Sequence, residues 1–160
     1  MANELTPVDI RILEVIQNDA SLSTADLAEK VGISHSPCWR RLQRLKEEGY
    51  IDRQVAILNR EKFGQEFLVF AFVKVAALSP EQRKEFHRKI ENLPHIIECY
   101  SVLGEYDLII KVMASSLKEY QNFIFDTVMR LPGVQDVRST AALSVLKDTT
   151  AIPVRGIMSR

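Results

Sequence analysis

Between residues 34 and 49 the chain reads SHSPCWRRLQRLKEEG, and its first thirteen positions carry four basic side chains, Arg40, Arg41, Arg44 and Lys46, and no acidic one. Arginine offers a forked donor that matches a guanine edge or a phosphate. Glutamine can pair with adenine through two hydrogen bonds, and serine or histidine near a helix start can donate to a phosphate oxygen. Wound at about 100° per residue, the stretch puts Cys38, Leu42 and Leu45 on one face and Ser36, Arg40, Gln43 and Arg44 on the other, with Trp39 and Arg41 on the flanks. The spacing predicts a helix with an apolar inner side and an outer side suited to double-stranded DNA. Its candidate contacts are Ser34, His35, Ser36, Trp39, Arg40, Arg41, Gln43 and Arg44. For Trp39 two roles stay open, packing against a DNA backbone or packing inside an interface.

Other chemistries find little support. The carboxylates of Glu105 and Asp107 could act as a pair with His87 or His95 as base, but no nucleophile elbow, phosphate loop or metal-ligand spacing accompanies them, so no enzyme, metal or cofactor is expected. Cys38 and Cys99 stand far apart and outside any paired spacing, which argues against a disulfide framework or a zinc site. At 160 residues, 46% hydrophobic and 26% charged, the chain has room for one medium domain or two small ones. Net charge is zero, so a nucleic-acid signal has to be local, as it is in the basic run above. The apolar stretch FLVFAFV is too short to span a bilayer and MANELTPVD has no signal-like core; a cytoplasmic protein with no membrane partner is expected.

The basic helix needs elements to hold it. Thr6-Pro7-Val8-Asp9 reads as a helix start, with Thr as N-cap, Pro in the first turn and an acid beside it. Ser23-Thr24-Ala25-Asp26 opens a second, short helix that Gly32 ends, and Ser34 caps the third, which Gly49 closes. The three-residue connection with Gly32 between the second and third helices has helix-turn-helix spacing. Beyond Gly49, YIDRQVAILN loses helical period and reads as a linking strand. EFLVFAFVKVAAL then predicts a strand, SPEQRKEFHRKIENL a helix, HIIECYSVLG and YDLIIKVMA two strands about a tight turn at Gly104, SLKEYQNFIFDTVMRL a helix and VQDVRSTAALSVL a last strand. Leu93-Pro94-His95 and Leu131-Pro132-Gly133 each follow a helix and launch a strand, so the second half reads as two strand-helix-strand units. The expected layout is a helix-turn-helix domain over 1–50, a linker strand over 51–65, a ferredoxin-like domain over 66–146 and a tail over 147–160. With both helices on one face of four apolar strands, the other face calls for self-association.

Taken together, LAEKVGISHSPCWRRLQRLKEEGYI, the turn GEYD and the tail TTAIP resemble the Lrp/AsnC (feast/famine) transcription regulators over essentially the whole chain. The resemblance implies an α+β protein: an N-terminal winged-type helix-turn-helix domain and a C-terminal ferredoxin-like βαββαβ (RAM-type) domain. It also implies homodimers assembling further, to tetramers or octamers, and an amino-acid effector bound between dimers. Carried over by position, the effector contacts would be Gly104, Glu105, Tyr106 and Asp107 on the turn and Ser139, Thr140 and Ala141 on the last strand. The chemistry of the turn agrees, since its N–H groups can receive a carboxylate and Asp107 or Glu105 an ammonium. Trp39 is bulkier than the aliphatic residue of many members, so the base preference of this helix is its own. An architectural DNA-binding protein with little sequence selectivity needs the same helix and stands as the alternative.

Overall fold

A computed structural model of the chain describes residues 5–154; the outer ends of the expected first domain and tail, 1–4 and 155–160, lie outside them. The chain divides into two compact units. One holds the described residues up to Ile57 together with those from Lys147 onward, and the other runs from Leu58 to Leu146.

The first unit is three helices, α1 (Pro7–Ile16), α2 (Thr24–Val31) and α3 (His35–Glu47). Thr6 caps α1 through a reciprocal box with Asp9, and the Ser23 hydroxyl accepts the Asp26 amide at the start of α2. Gly32 ends α2 at φ 76°, left-handed backbone that glycine adopts without steric cost, and its N–H donates to Ala28 and Glu29 carbonyls. Ile12, Leu13, Leu27, Ala28, Val31, Cys38, Leu42 and Leu45 form one buried cluster, so the inner face expected of α3 is the one that packs. Ser34 occupies the N-cap position of α3 with extended backbone, but its hydroxyl makes no capping hydrogen bond.

The linker strand expected over 51–65 is absent. The chain there runs unpaired from Asp52 to Asn59 and then makes a 3₁₀ turn, Arg60–Phe63, whose start is capped by the Asn59 side chain. Val55, Ile57 and Leu58 are exposed, and alternating polar and apolar residues without a neighbouring strand in the same chain do not make a sheet. The described part of the tail belongs with the helical unit, where the Gln17 amide bonds both the N–H and the C=O of Ile152 at 3.0 and 3.1 Å.

The second unit has the order β1 (Phe67–Val75), α4 (Pro80–Glu91), β2 (Ile96–Ser101), β3 (Leu108–Ala114), α5 (Leu117–Asp126) and β4 (Val134–Ala141). Its sheet has the order β2-β3-β1-β4, antiparallel throughout, the ferredoxin-like arrangement. Val69, Ala71, Val73, Ile110, Val112 and Ala114 alternate toward α4 and α5, where Phe86, Tyr120, Phe123 and Ile124 complete the core. Three boundaries differ from expectation. The connection at Gly104 spans the residues between Ser101 and Leu108 rather than a tight turn; the second helix breaks at Thr127 into a 3₁₀ turn; and the last strand stops at Ala141, leaving Leu143 and Leu146 fully exposed.

Candidate nucleic-acid interface and ligand-binding turn

The outer side of α3 is built as the spacing requires. Ser34, His35, Ser36 and Arg40 are exposed, Trp39 is half exposed and Gln43 lies at its edge. Arg40 takes part in no ion pair among the described residues, so its guanidinium is free to meet an anion. Arg41 and Arg44 are different. Both turn toward the start of α1, where Asp9 is fully buried. The Arg41 Nη1 donates to Asp9 Oδ1 at 2.9 Å and to the Thr6 hydroxyl at 3.1 Å. The Arg44 Nη2 stands 2.7 Å from Asp9 Oδ2, an ion pair whose N–H bonds are not aligned as a hydrogen bond. Thr6 adds its amide at 2.9 Å and its hydroxyl at 2.6 Å to Oδ2. Burial would raise the Asp9 pKa, but the Thr6 bonds and the two guanidinium groups outweigh it and hold the carboxyl at about 2. Asp9 therefore clamps the first helix to the third through their charged edges, beside the apolar cluster. In the sequence Asp9 read only as an N-terminal acid; its spacing from Thr6 marks the capping box, but nothing local marks the two partners on α3.

On the second unit, Asp107 is already engaged. Its Oδ2 accepts the Val75 amide at 2.8 Å and lies 3.5 Å from the Lys74 ammonium, and the amide bond first, with Lys74 behind it, overcomes burial and lowers its pKa. Lys74 also donates to the Glu105 carbonyl at 2.7 Å. These bonds tie the turn to the end of β1. Glu105 keeps its exposed carboxylate, 3.9 Å from Arg138, and the Tyr106 ring lies between Phe72, at 5.9 Å, and the Arg138 guanidinium, at 5.7 Å. Gly104 has no positive φ, and a Cβ there would meet open space. Arg138 and Lys74 are the functional candidates that sequence reading missed; the strand register places Arg138 opposite Phe72, a cross-chain neighbour that no local spacing reveals.

Ser139, Thr140 and Ala141 alternate between the two faces of the sheet. Ser139 pairs with Ala71 and its hydroxyl bonds Tyr120 of α5 at 2.5 Å, so Ser139 and Ala141 lean to the helix side and Thr140 to the uncovered side. Within one chain none of the three reaches the Gly104–Asp107 turn, which lies by Val73 and Val75 at the far end of β1, whereas Ala141 pairs with Val69. Of the histidines weighed for catalysis, His87 is exposed, while His95 lies 3.2 Å from Glu119 and stacks on Phe123 at 4.8 Å, contacts that belong to α5.

Two family models match the chain. One is described as the Lrp/AsnC ligand binding domain and matches residues 68–152; the other is described as winged helix-turn-helix DNA-binding and matches residues 5–52. The DNA-binding transcriptional activator DecR of Escherichia coli (strain K12) is 33% identical over 94% of this chain and 99% of its own length. The leucine-responsive regulatory protein of Haemophilus influenzae is 33% identical over 94% of this chain and 91% of its own. Among solved structures, a transcriptional regulator of Neisseria meningitidis in complex with L-Met superposes with a TM-score of 0.92 at 29% identity, covering 96% of this chain and 99% of that one.

Proposed function

Because this chain belongs to the Lrp/AsnC family and is a DNA-binding transcriptional regulator rather than an enzyme, we propose that α3 reads an operator and that an amino acid held at the Gly104–Asp107 turn alters that reading. The observation that carries the first half is the split within α3: Cys38, Leu42 and Leu45 are buried in the helical cluster, while Ser36 and Arg40 are exposed and Gln43 borders them. Ser36, Arg40 and Gln43 are the base-reading candidates, Ser34 and His35 sit at the helix start where phosphates are met, and Trp39 flanks them.

For the effector, the neighbour solved with L-Met supports the amino-acid class. The turn supplies opposite charges for the two ends of such a molecule. Asp107 is engaged with Val75 and Lys74, so the ammonium partner is the Glu105 carboxylate, and Arg138 and the turn N–H groups are the carboxylate partners. The space around Gly104 admits the ligand backbone. A neighbouring subunit supplies the opposite wall, with Thr140 the member of its trio on the uncovered side. Phe70 and Tyr100 are exposed on that side of the sheet, and Phe72 and Ile109 lie in register with Tyr100. This apolar surface supports homodimers and higher assembly, tetramer or octamer, in the cytoplasm. Two copies of α3 in a dimer would enter major grooves about 34–36 Å apart.

The deciding experiment retains sheared genomic DNA on the purified protein at physiological salt, with and without a pool of amino acids, and sequences what is held. A few fragments sharing a near-palindromic site and changing with the pool are expected. Even retention across the genome would instead support the architectural reading. In the same assay Arg40→Ala should lose the enriched fragments while folding and sedimentation stay as in the parent; retention unchanged would remove Arg40 from the reading face.

A further inference from the structure

Beside the reading face, a cavity of about 290 Å³ is lined by Pro37, Arg40, Arg41 and Arg44. Three guanidinium groups at one opening are costly unless an anion answers them, because like charges repel most where water is partly excluded. The acids paired with them among the described residues are Asp9 and, 3.8 Å from the Arg44 Nε, Glu48; Arg40 is paired with neither. At least one positive charge is therefore in excess. The Arg44 Nε and Nη2 are buried and meet Glu48 at 3.8 Å and Asp9 at 2.7 Å without an aligned hydrogen bond, so these ion pairs leave part of the donor capacity of that guanidinium unused. Arg41 and Arg44 are also held still: Asp9 fixes them against α1, which is what a site for a tetrahedral anion needs and what a base reader moving into a groove does not.

We infer that this cavity seats one phosphate group, with Arg41 and Arg44 as its fixed walls, Arg40 at its rim on the base-reading side, and Asp9 as the positioning residue that presets the walls. The assignment rests on the reading of α3 as a DNA-binding helix and divides that helix in two. Ser36, Gln43 and the near side of Arg40 face bases, and the Pro37–Arg44 flank takes a phosphate irrespective of sequence. The phosphate has two sources with the same chemistry, a phosphodiester of the DNA backbone or a free phosphate compound that would compete with it.

The test uses the full-length protein, an enriched duplex and a shuffled duplex of the same composition, each titrated over a range of salt, with inorganic pyrophosphate titrated calorimetrically in the absence of DNA. Removing one phosphate contact should flatten the log–log salt slope by about 0.9 on both duplexes, so that the affinity lost between 50 and 200 mM salt shrinks about 3.5-fold. Arg44→Gln should do this and leave the preference between the duplexes unchanged. Since Arg44→Gln alone strands part of the Asp9 charge, Arg41→Gln, which removes the other wall and leaves Asp9 paired with Arg44, is the second variant and should show the same flattening in a folded protein. An unchanged slope in both variants overturns the seat, as does a loss confined to the enriched duplex, which would make Arg44 a base reader. Pyrophosphate heat that disappears in Arg44→Gln supports a seat open to free phosphates; a flattened slope with no pyrophosphate heat supports one that takes only DNA phosphate. If the parent binds neither duplex, the DNA reading itself fails, and the seat stands or falls on the pyrophosphate heat alone.

Discussion

Replacing the Asp9 carboxylate by an amide, Asp9→Asn, should weaken the helical unit by an amount that vanishes in acid. The carboxyl is fully buried and is held at about 2 against an ordinary 3.8. The folded pKa is the lower one, so the stabilisation is complete above pH 4 and disappears as pH falls through 2. A shift of that size corresponds to about 2 kcal/mol, at about 1.4 kcal/mol per unit. For a domain of 60–100 residues each kcal/mol moves the melting midpoint by about 4–8 °C, so the gap between parent and Asp9→Asn should be about 8–16 °C near neutrality. Far-UV ellipticity melts of both proteins between pH 2 and pH 7 measure it, the two curves converging at the acid end. A gap that persists undiminished at pH 2 would mean that the substitution costs packing rather than charge. No gap at pH 7 would mean that the Arg41 and Arg44 pairing only balances the cost of burying the carboxylate.

Two glycines should respond in opposite ways. Gly133 sits at φ 76°, and a Cβ there would stand 2.5 Å from the Leu78 Cδ2, so Gly133→Ala should cost roughly 1–3 kcal/mol in urea unfolding of the second unit, from strained backbone and displaced Leu78; a change of a few tenths would refute the clash. Gly104→Val meets open space at an ordinary φ, so its stability should stay within about 0.5 kcal/mol of the parent. Its DNA binding should no longer respond to amino acids, and an intact response at the same concentration would move the effector site elsewhere. Phe70→Lys places a second cation across from Lys111 on the uncovered sheet face. Sedimentation should then show smaller assemblies, and an unchanged sedimentation coefficient would refute the role of that face.

The helices were legible because their signals are local. Thr6 with Asp9, Ser23 and Gly32 declare the ends of α1 and α2 within four residues of themselves, and Cys38, Leu42 and Leu45 mark the inner face of α3 by spacing alone. The strands were legible for the same reason, and their order followed from the repeat of Leu-Pro at both helix ends. What was not legible depends on partners distant in sequence. Arg41 and Arg44 look like free cations until α1 brings Asp9 to them across more than thirty residues. The bond between the Ser139 hydroxyl and Tyr120 joins a strand to a helix nineteen residues away, and Arg138 acquires meaning only from its register with Phe72 beside Tyr106. The expected linker strand has no pairing within the chain: Val55, Ile57 and Leu58 have strand composition, but a strand is a relation to a neighbour, and the described residues of this chain supply none there.

The clamp also bears on how a chain of zero net charge can bind DNA selectively. Non-specific affinity grows with each phosphate neutralised, so four unpaired cations on one helix would hold any duplex at low salt. Here Asp9 and Glu48 draw down the charge of Arg41 and Arg44 and fix their places, leaving Arg40 and Lys46 as the cations of this helix in no ion pair among the described residues. A helix with two of its four cations so answered holds arbitrary sequence less tightly than one with four free cations would. If the chain assembles as proposed, linking several such helices adds occupancy, and the effective concentration of the second raises the affinity of the first only if the spacing of sites matches the assembly. An effector that changes the relation between subunits acts on that spacing, and its leverage is largest when each separate contact is weak.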